Sequence, residues 1–301
     1  MLLRVGCEFG YDTTWPAPAV MLVQPHPDAP HRIARETWEA EPALTAHEYR
    51  DGFGNRCRRF VLPAGATTLR YDAVVEVSGE PDEVDPDAAP VPVEELPDEV
   101  LVYTLASRYC LSDALSNAAW QLFGGTEPGR ARVQAVCDWI HEHIVYGARS
   151  TPLTDAVDVY VSRGGICRDF AHLGVAFCRA LNIPARYVFG YMPDIGVPPP
   201  HPPMDFHAWF EVYLGGRWWT FDARFNVPRI GRVPIGRGRD AVDVAMMTTY
   251  GAARFQRMVV WTDPVEDEAA TGPSTASDGT GGAKGETADR TEALVLDRGH
   301  D

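Results

Sequence analysis

The chain is predicted to be an α+β protein, with helices packed on an antiparallel sheet, a small β-sandwich in front and a disordered acidic tail behind. Three observations lead there. Residues 1–80 carry short alternating apolar runs, residues 98–181 repeat apolar side chains three and four apart, and three more alternating runs follow up to residue 224. Helices followed by strands, rather than alternating with them, imply segregated layers.

The elements follow in order. Leu2-Leu3-Arg4-Val5, Val20-Met21-Leu22-Val23 and Thr68 to Val77, punctuated by Pro, Gly and Asp, predict the strands of the sandwich (residues 1–80). Residues 81–97 turn to Pro, Asp, Glu and Val without a period that could bury a face, so they read as a linker. Helices are expected over Glu99 to Phe123 and over Arg130 to Val145, the second on the spacing of Val133, Val136, Cys137, Ile140 and Ile144. A third runs from Cys167 to Leu181, and Pro184 stops it. Strands are expected at Ala185 to Tyr191, His207 to Leu214 and Trp218 to Arg224, completing a domain over residues 98–262. Six of the eleven residues from Pro193 to Pro203 are proline, which makes a stiff, extended segment. From Asp263 to the end ten acidic residues face three basic ones among Gly, Ser, Thr and Ala, the composition of a disordered tail.

Charge narrows the partners. The net charge is −15 and only one of 27 basic residues is a lysine, Lys284, so nucleic acid and anionic membrane are not expected partners. No apolar stretch reaches the length of a membrane span and no signal-like start is seen, which predicts a cytoplasmic protein. The six cysteines include no CxxC pair, as expected for reduced thiols outside a zinc ribbon or a thioredoxin-type site. His141 and His143 point apart on one helix, and His26, His31 and His201 lie in Pro-rich loops, so neither metal nor cofactor is expected.

One cysteine differs from the rest. Cys167 follows Gly164-Gly165 and opens a helix, where unpaired amides and the macrodipole favour a thiolate with a pKa below the free value of ~8.5. Gly165 would allow close approach of substrate, and the Cys167 amide is a candidate oxyanion donor. His172 lies ~140° around that helix from Cys167 and is expected to be structural. Asp169 should complement the helix dipole, and Arg168 should serve an ion pair or the rim.

A thiolate nucleophile needs a base and a group that orients it. If Gly215-Gly216 is a two-residue turn, Leu214 opposes Arg217, Trp209 opposes Asp222, and His207 and Asp222 share one face as diagonal neighbours. Cys167, His207 and Asp222 are therefore the candidate catalytic residues. Trp209 lies on the same face, and Phe206 and Met204 would line a wall formed by the proline-rich segment, unless that segment only connects. Gly165, Phe206 and Trp209 are the cleft candidates. Arg229, Arg232, Arg237 and Arg239 suit either carboxylate docking or a structural network with Asp240 and Asp243.

"GGICRDFAHL" (164–173), "LNIPARYVFGYM" (181–192) and "DFHAWFEVYLGGRWWTFDAR" (205–224) resemble a bacterial transglutaminase-like protein of the papain-related superfamily, with a β-rich N-terminal region. The resemblance implies a papain/transglutaminase-like core and places the family's Cys, His and Asp on Cys167, His207 and Asp222. It implies acyl transfer through a thioester: some members cross-link glutamine to lysine, others hydrolyse amides or peptides, a few are inactive. "FDAR" departs from the Asp-Pro found after the last strand in many relatives, and no EF-hand-like loop is present, so hydrolysis of a peptide, protein or amide substrate is expected over cross-linking. The alternatives are a non-catalytic binding scaffold on the same fold and a redox-sensing thiol. The latter needs a resolving cysteine, and Cys178 is about three turns away.

Overall fold

A computed structural model describes residues 1–197, 204–265 and 295–297. The chain forms β1 (Leu2–Thr13), β2 (Ala17–Met21), β3 (Arg32–Glu41), β4 (His47–Arg50), β5 (Arg56–Leu62) and β6 (Gly65–Glu76). Four short or medium helices follow, α1 (Asp98–Leu101), α2 (Ser116–Phe123), α3 (Arg130–His143) and α4 (Ala156–Ser162), with β7 (Val145–Tyr146) and β8 (Gly164–Gly165) beside the last two. Next come α5 (Cys167–Ala180), β9 (Ala185–Tyr191), β10 (His207–Leu214), β11 (Arg217–Phe221), β12 (Val233–Gly238), β13 (Met247–Thr249), β14 (Ala253–Pro264) and β15 (Val295–Asp297).

Two sheets of order β14-β1-β6-β3 and β15-β13-β2-β5-β4 make the sandwich. Alternation drives it: Leu3, Val5, Phe9 and Tyr11 of β1 and Leu69, Tyr71, Ala73 and Val75 of β6 are buried against Ala19, Met21, Phe60 and Leu62. Its edge at β1 is closed by β14, paired along the whole strand from Leu3↔Pro264 to Thr13↔Ala253. The late strands β13 and β14 thus complete the N-terminal sandwich, although the sequence placed residues up to 262 with the second domain and began the tail at Asp263, which lies inside β14. The rest of the tail, apart from the short β15, and residues 198–203 of the proline-rich segment fall outside the described residues.

The second sheet, β11-β10-β9-β12, is antiparallel throughout, and all eight residues of β10 are buried. One side packs on α5, where Gly174 meets the ring of Phe210 so closely that a Cβ would lie 2.6 Å from it. Toward the sandwich, Tyr187, Phe189, Tyr191, Phe206 and Ile235 share one apolar cluster with Leu3, Phe9 and Tyr71. The two sheet systems therefore have a common core. Helix α5 is buried all round rather than on one face, which is why its polar residues must find partners inside.

That need also explains a broken helix. Glu99 to Phe123 does not form one helix: after α1 comes a single turn at Val102–Thr104, then loop, then α2. The loop supplies acceptors to buried Arg179 of α5, Leu105 O at 3.0 Å and Ser107 Oγ at 3.1 Å, beside Ala185 O and Arg239 O. Tertiary demand overrides local period there. The proposed linker is an ordered strap, with Ala88 O accepting from the Arg130 amide and Ala89 O from the Gly215 amide. Strand β12, Val-Pro-Ile-Gly-Arg-Gly, escaped the strand pattern because Pro and Gly interrupt it. It sits at a sheet edge, where proline is tolerated, and its register shifts between Pro234 and Gly236.

Gly190 pairs with His207 across β9 and β10. A Cβ on it would strike Val233 O and lie 2.9 Å from the Trp209 ring. Because the first obstacle is backbone, Gly190→Ala should lower stability by about 2 kcal/mol or more, measured by urea unfolding; an unchanged midpoint would contradict this packing.

Candidate active site

Cys167 is the first residue of α5 and the one cysteine of six that is only half-buried, the other five being fully buried. The helix start is closed by its own residues. Asp169 Oδ2 accepts from the Ile166 amide at 3.0 Å, while Arg168 holds Asp169 Oδ1 through Nε at 3.0 Å and Nη2 at 2.9 Å. A Cβ on Gly165 would come 2.8 Å from Asp169 Cβ, and one on Gly164 would come 2.8 Å from Ala148 O. The glycine pair thus lets this cap close and lets β8 lie beside β7. Arg168 also bonds Ser150 Oγ and Thr151 O, so it is a buried structural residue.

The hairpin has the expected register. Leu214 opposes Arg217 and Phe210 opposes Phe221 around Gly215 and Gly216, whose φ of 57° and 84° suit glycine in a two-residue turn. Continuing it brings His207 and Asp222 together, Nε2 to Oδ2 at 2.8 Å, both buried. Asp222 Oδ1 accepts from the amides of Arg224 at 3.1 Å and Phe225 at 3.3 Å. A carboxylate only accepts, so Nε2 carries the proton and the neutral ring presents its lone pair at Nδ1. Arg224 Nη1 lies 3.4 Å from that Nδ1. The Cys167 sulfur lies against the amide of Ala208, the residue after His207, with no hydrogen bond to the ring.

One support was not legible in the sequence. Arg232, buried, donates to Asp222 Oδ2 at 2.9 Å and to Asp82 Oδ2 at 2.8 Å. No spacing rule connects residues 82, 222 and 232; only the pinning of the strap does, with Asp82 Oδ2 also accepting from the Arg229 amide at 2.9 Å. Of the expected arginine network only Arg239–Asp243 forms. Arg237 pairs with Glu211, Arg229 donates to Pro193 O at 3.0 Å, and Asp240 accepts from the Tyr109 amide.

The cleft candidates fare differently. Trp209 is 1% exposed, stacked 6.2 Å from the His207 ring and covered by Arg232 at 4.9 Å, so it shields the His–Asp pair and does not line a cleft. Phe206 is buried against Phe9, Phe189 and Tyr191 in the core shared with the sandwich. The reasons differ: Phe206 enters the core shared with the sandwich, whereas Trp209, on the other face of the strand, is covered by Arg232 and by the close approach at Gly190. His172 is structural as expected, its Nε2 accepting from the Ala241 amide at 3.1 Å between the rings of Tyr109 and Tyr187.

Burial would raise the Asp222 carboxyl, but His207 and Arg232 outweigh it and hold it well below the usual carboxylate range. Burial pulls the His207 ring below the ordinary imidazole value, with Asp222 opposing and Arg232 and Arg224 assisting. Burial pushes the Cys167 thiol up to about 11; Arg224 and the Ala208 amide pull it down, and Asp205 and Asp169 add to the rise. Desolvation thus opposes the thiolate expected from the helix start, and burial likewise opposes an imidazolium at His207. Asp205 is itself pushed up by burial to about 6.

The transglutaminase-like superfamily model matches residues 117–223. A candidate cysteine protease from Cytophaga hutchinsonii is similar in structure, with a TM-score of 0.81 and 33% identity over 89% of this chain and 92% of that one. An uncharacterized protein of Mycobacterium leprae is 27% identical over 268 residues, 81% of this chain and 90% of that protein. Another, from Mycobacterium bovis, is 30% identical over 236 residues, 71% of this chain and 73% of that protein. The fold is transglutaminase-like, and the chain belongs to the transglutaminase-like superfamily.

Arg232→Met would leave the Asp82 and Asp222 carboxylates facing each other without their bridge. Unfolding in urea at pH 7 should show a loss of about 3 kcal/mol. Because the folded Asp222 titrates below its unfolded value of ~3.9, its contribution is complete above that value and disappears as pH falls. The gap between variant and parent should therefore narrow below about pH 4; a gap independent of pH would contradict the assignment.

Proposed function

We propose that the chain is a cysteine-dependent enzyme that cleaves or transfers an amide or peptide acyl group through a thioester on Cys167, with water as the favoured acceptor. The observation that carries this is the buried 2.8 Å bond between His207 and Asp222, with the half-buried thiol of Cys167 acted on by the amide of Ala208, the residue after His207. A buried ionic network costs desolvation that apolar residues would avoid, which favours chemistry over a non-catalytic scaffold.

As the sulfur attacks the carbonyl, the thiol proton passes to His207 Nδ1, the nitrogen that Asp222 leaves bare. The new imidazolium lies against an ionised Asp222, which stabilises the charge and keeps the ring oriented. It then protonates the departing amine. In the second half the neutral ring takes a proton from water, which attacks the thioester and releases the acid and the free thiol. The first amides of α5, at Cys167 and Arg168, have no intrahelical acceptor and suit the developing oxyanion. Arg224 favours water over a lysine ammonium as acceptor, since a second cation near the ring is repelled.

Incubation with a peptide library, read by mass for deamidation, cleavage and amine adducts, tests the proposal. Cys167→Ala should show no turnover, His207→Gln a loss of about 10²-fold or more, and Asp222→Asn a smaller loss. Undiminished turnover by Cys167→Ala would end the proposal. The base must be unprotonated, and burial lowers its pKa, so the acid limb of kcat/KM should fall below pH ~6.5 and move lower still in Asp222→Asn.

A further inference from the structure

The arginines around the site are nearly all spoken for. Arg168 is held by Asp169, Arg186 and Arg237 by Glu211, Arg232 by Asp82 and Asp222, and Arg239 by Asp243. Arg224 is different. Among the described residues no carboxylate pairs with it, although it is only partly buried and lies 3.4 Å from His207 Nδ1. Its guanidinium is stacked on the Tyr146 ring at 3.8 Å and the Phe225 ring at 4.6 Å. Stacking fixes the plane and leaves the edge N–H groups to a ligand. Against the same Phe225 ring, at 4.3 Å, sits Arg229, buried, with Nε and Nη1 lacking partners among the described residues. Among the described residues neither guanidinium is within ion-pair distance of a carboxylate, Asp194, Asp205 and Asp222 acting on them only at longer range, and in a chain of net charge −15 both lie against the ring beside the candidate base.

We infer that Arg224 is a specificity-determining residue that binds a carboxylate of the substrate, so that the preferred acyl donor is an amide with a free carboxylate close to the scissile bond. The inference rests on the proposed function of the site and names its substrate class. A planar, pre-stacked fork suits a carboxylate bidentately and loses little freedom on binding. Arg229 adds positive charge behind it. The same event frees the base: a carboxylate that draws the Arg224 edge away from Nδ1 clears the nitrogen for the thiol proton.

Iodoacetate and iodoacetamide provide the test, because they alkylate the same sulfur and differ by one negative charge. Their rates at Cys167 are followed by mass mapping in the full chain, its Arg224→Gln and its Arg224→Lys variants. Any change in thiol ionisation affects both reagents and cancels in the ratio. The iodoacetate-to-iodoacetamide ratio should fall about tenfold in Arg224→Gln, be partly kept in Arg224→Lys, and decline with salt in the parent. In the parent chain, succinate but not succinamide should protect Cys167 from iodoacetamide, a readout that survives poor folding of a variant. Equal ratios in parent and Arg224→Gln, or equal protection by the two succinyl compounds, would overturn the inference and leave the nucleophile standing. A Cys167 that neither reagent labels would overturn both.

Discussion

The buried chain Asp82–Arg232–Asp222–His207 is the constraint on which the site depends. Each member is intelligible only through the next. His207 is oriented because Asp222 accepts from Nε2, and Asp222 stays ionised in a buried place because Arg232 faces it and two backbone amides reach its other oxygen. Arg232 is held from behind by a residue of the strap that joins the two sheet systems. Removing water from such a row is costly, and the row is kept only where its charges satisfy one another. What it supplies is a ring with a defined tautomer and an adjacent negative charge.

The apolar structure serves the same end. Trp209 and the close approach at Gly190 fix the strand from which His207 projects. Phe206, the residue before His207, is anchored in the core shared with the sandwich. The sandwich is therefore a structural wall for the site and not a detached module, and its strand β14 returns from the far end of the described chain to close it. Glu211 of β10 is held between Arg186 of β9 and Arg237 of β12 and kept down at about 2 by them against burial, and Arg237 in turn reaches Asn55 and His26 of the sandwich side. Helix α5 completes the frame by carrying Cys167 on a rod buried along its full length.

Much of this was legible in the sequence, for identifiable reasons. A Gly-Gly turn sets strand register, and register alone placed His207 and Asp222 on one face. Three- and four-residue spacing found α3 and α5. Illegible were contacts made across long sequence separations: Arg232 on Asp222 and Asp82, β14 on β1, and the loop carbonyls that answer Arg179. The thiol was misjudged for a related reason. A helix start is local and readable, whereas desolvation depends on what the rest of the chain packs around the sulfur, and here desolvation is the stronger influence.

The protonation of one ring governs the chemistry of the site. Long-range ¹H–¹⁵N correlation of the histidine rings at pH 7, with His207 assigned by its loss in His207→Gln, measures it directly. The His207 ring should be neutral, protonated at Nε2 and bare at Nδ1, and its tautomer should be disturbed in Asp222→Asn. A ring protonated at Nδ1 in the parent, or a His207 indifferent to Asp222, would contradict this.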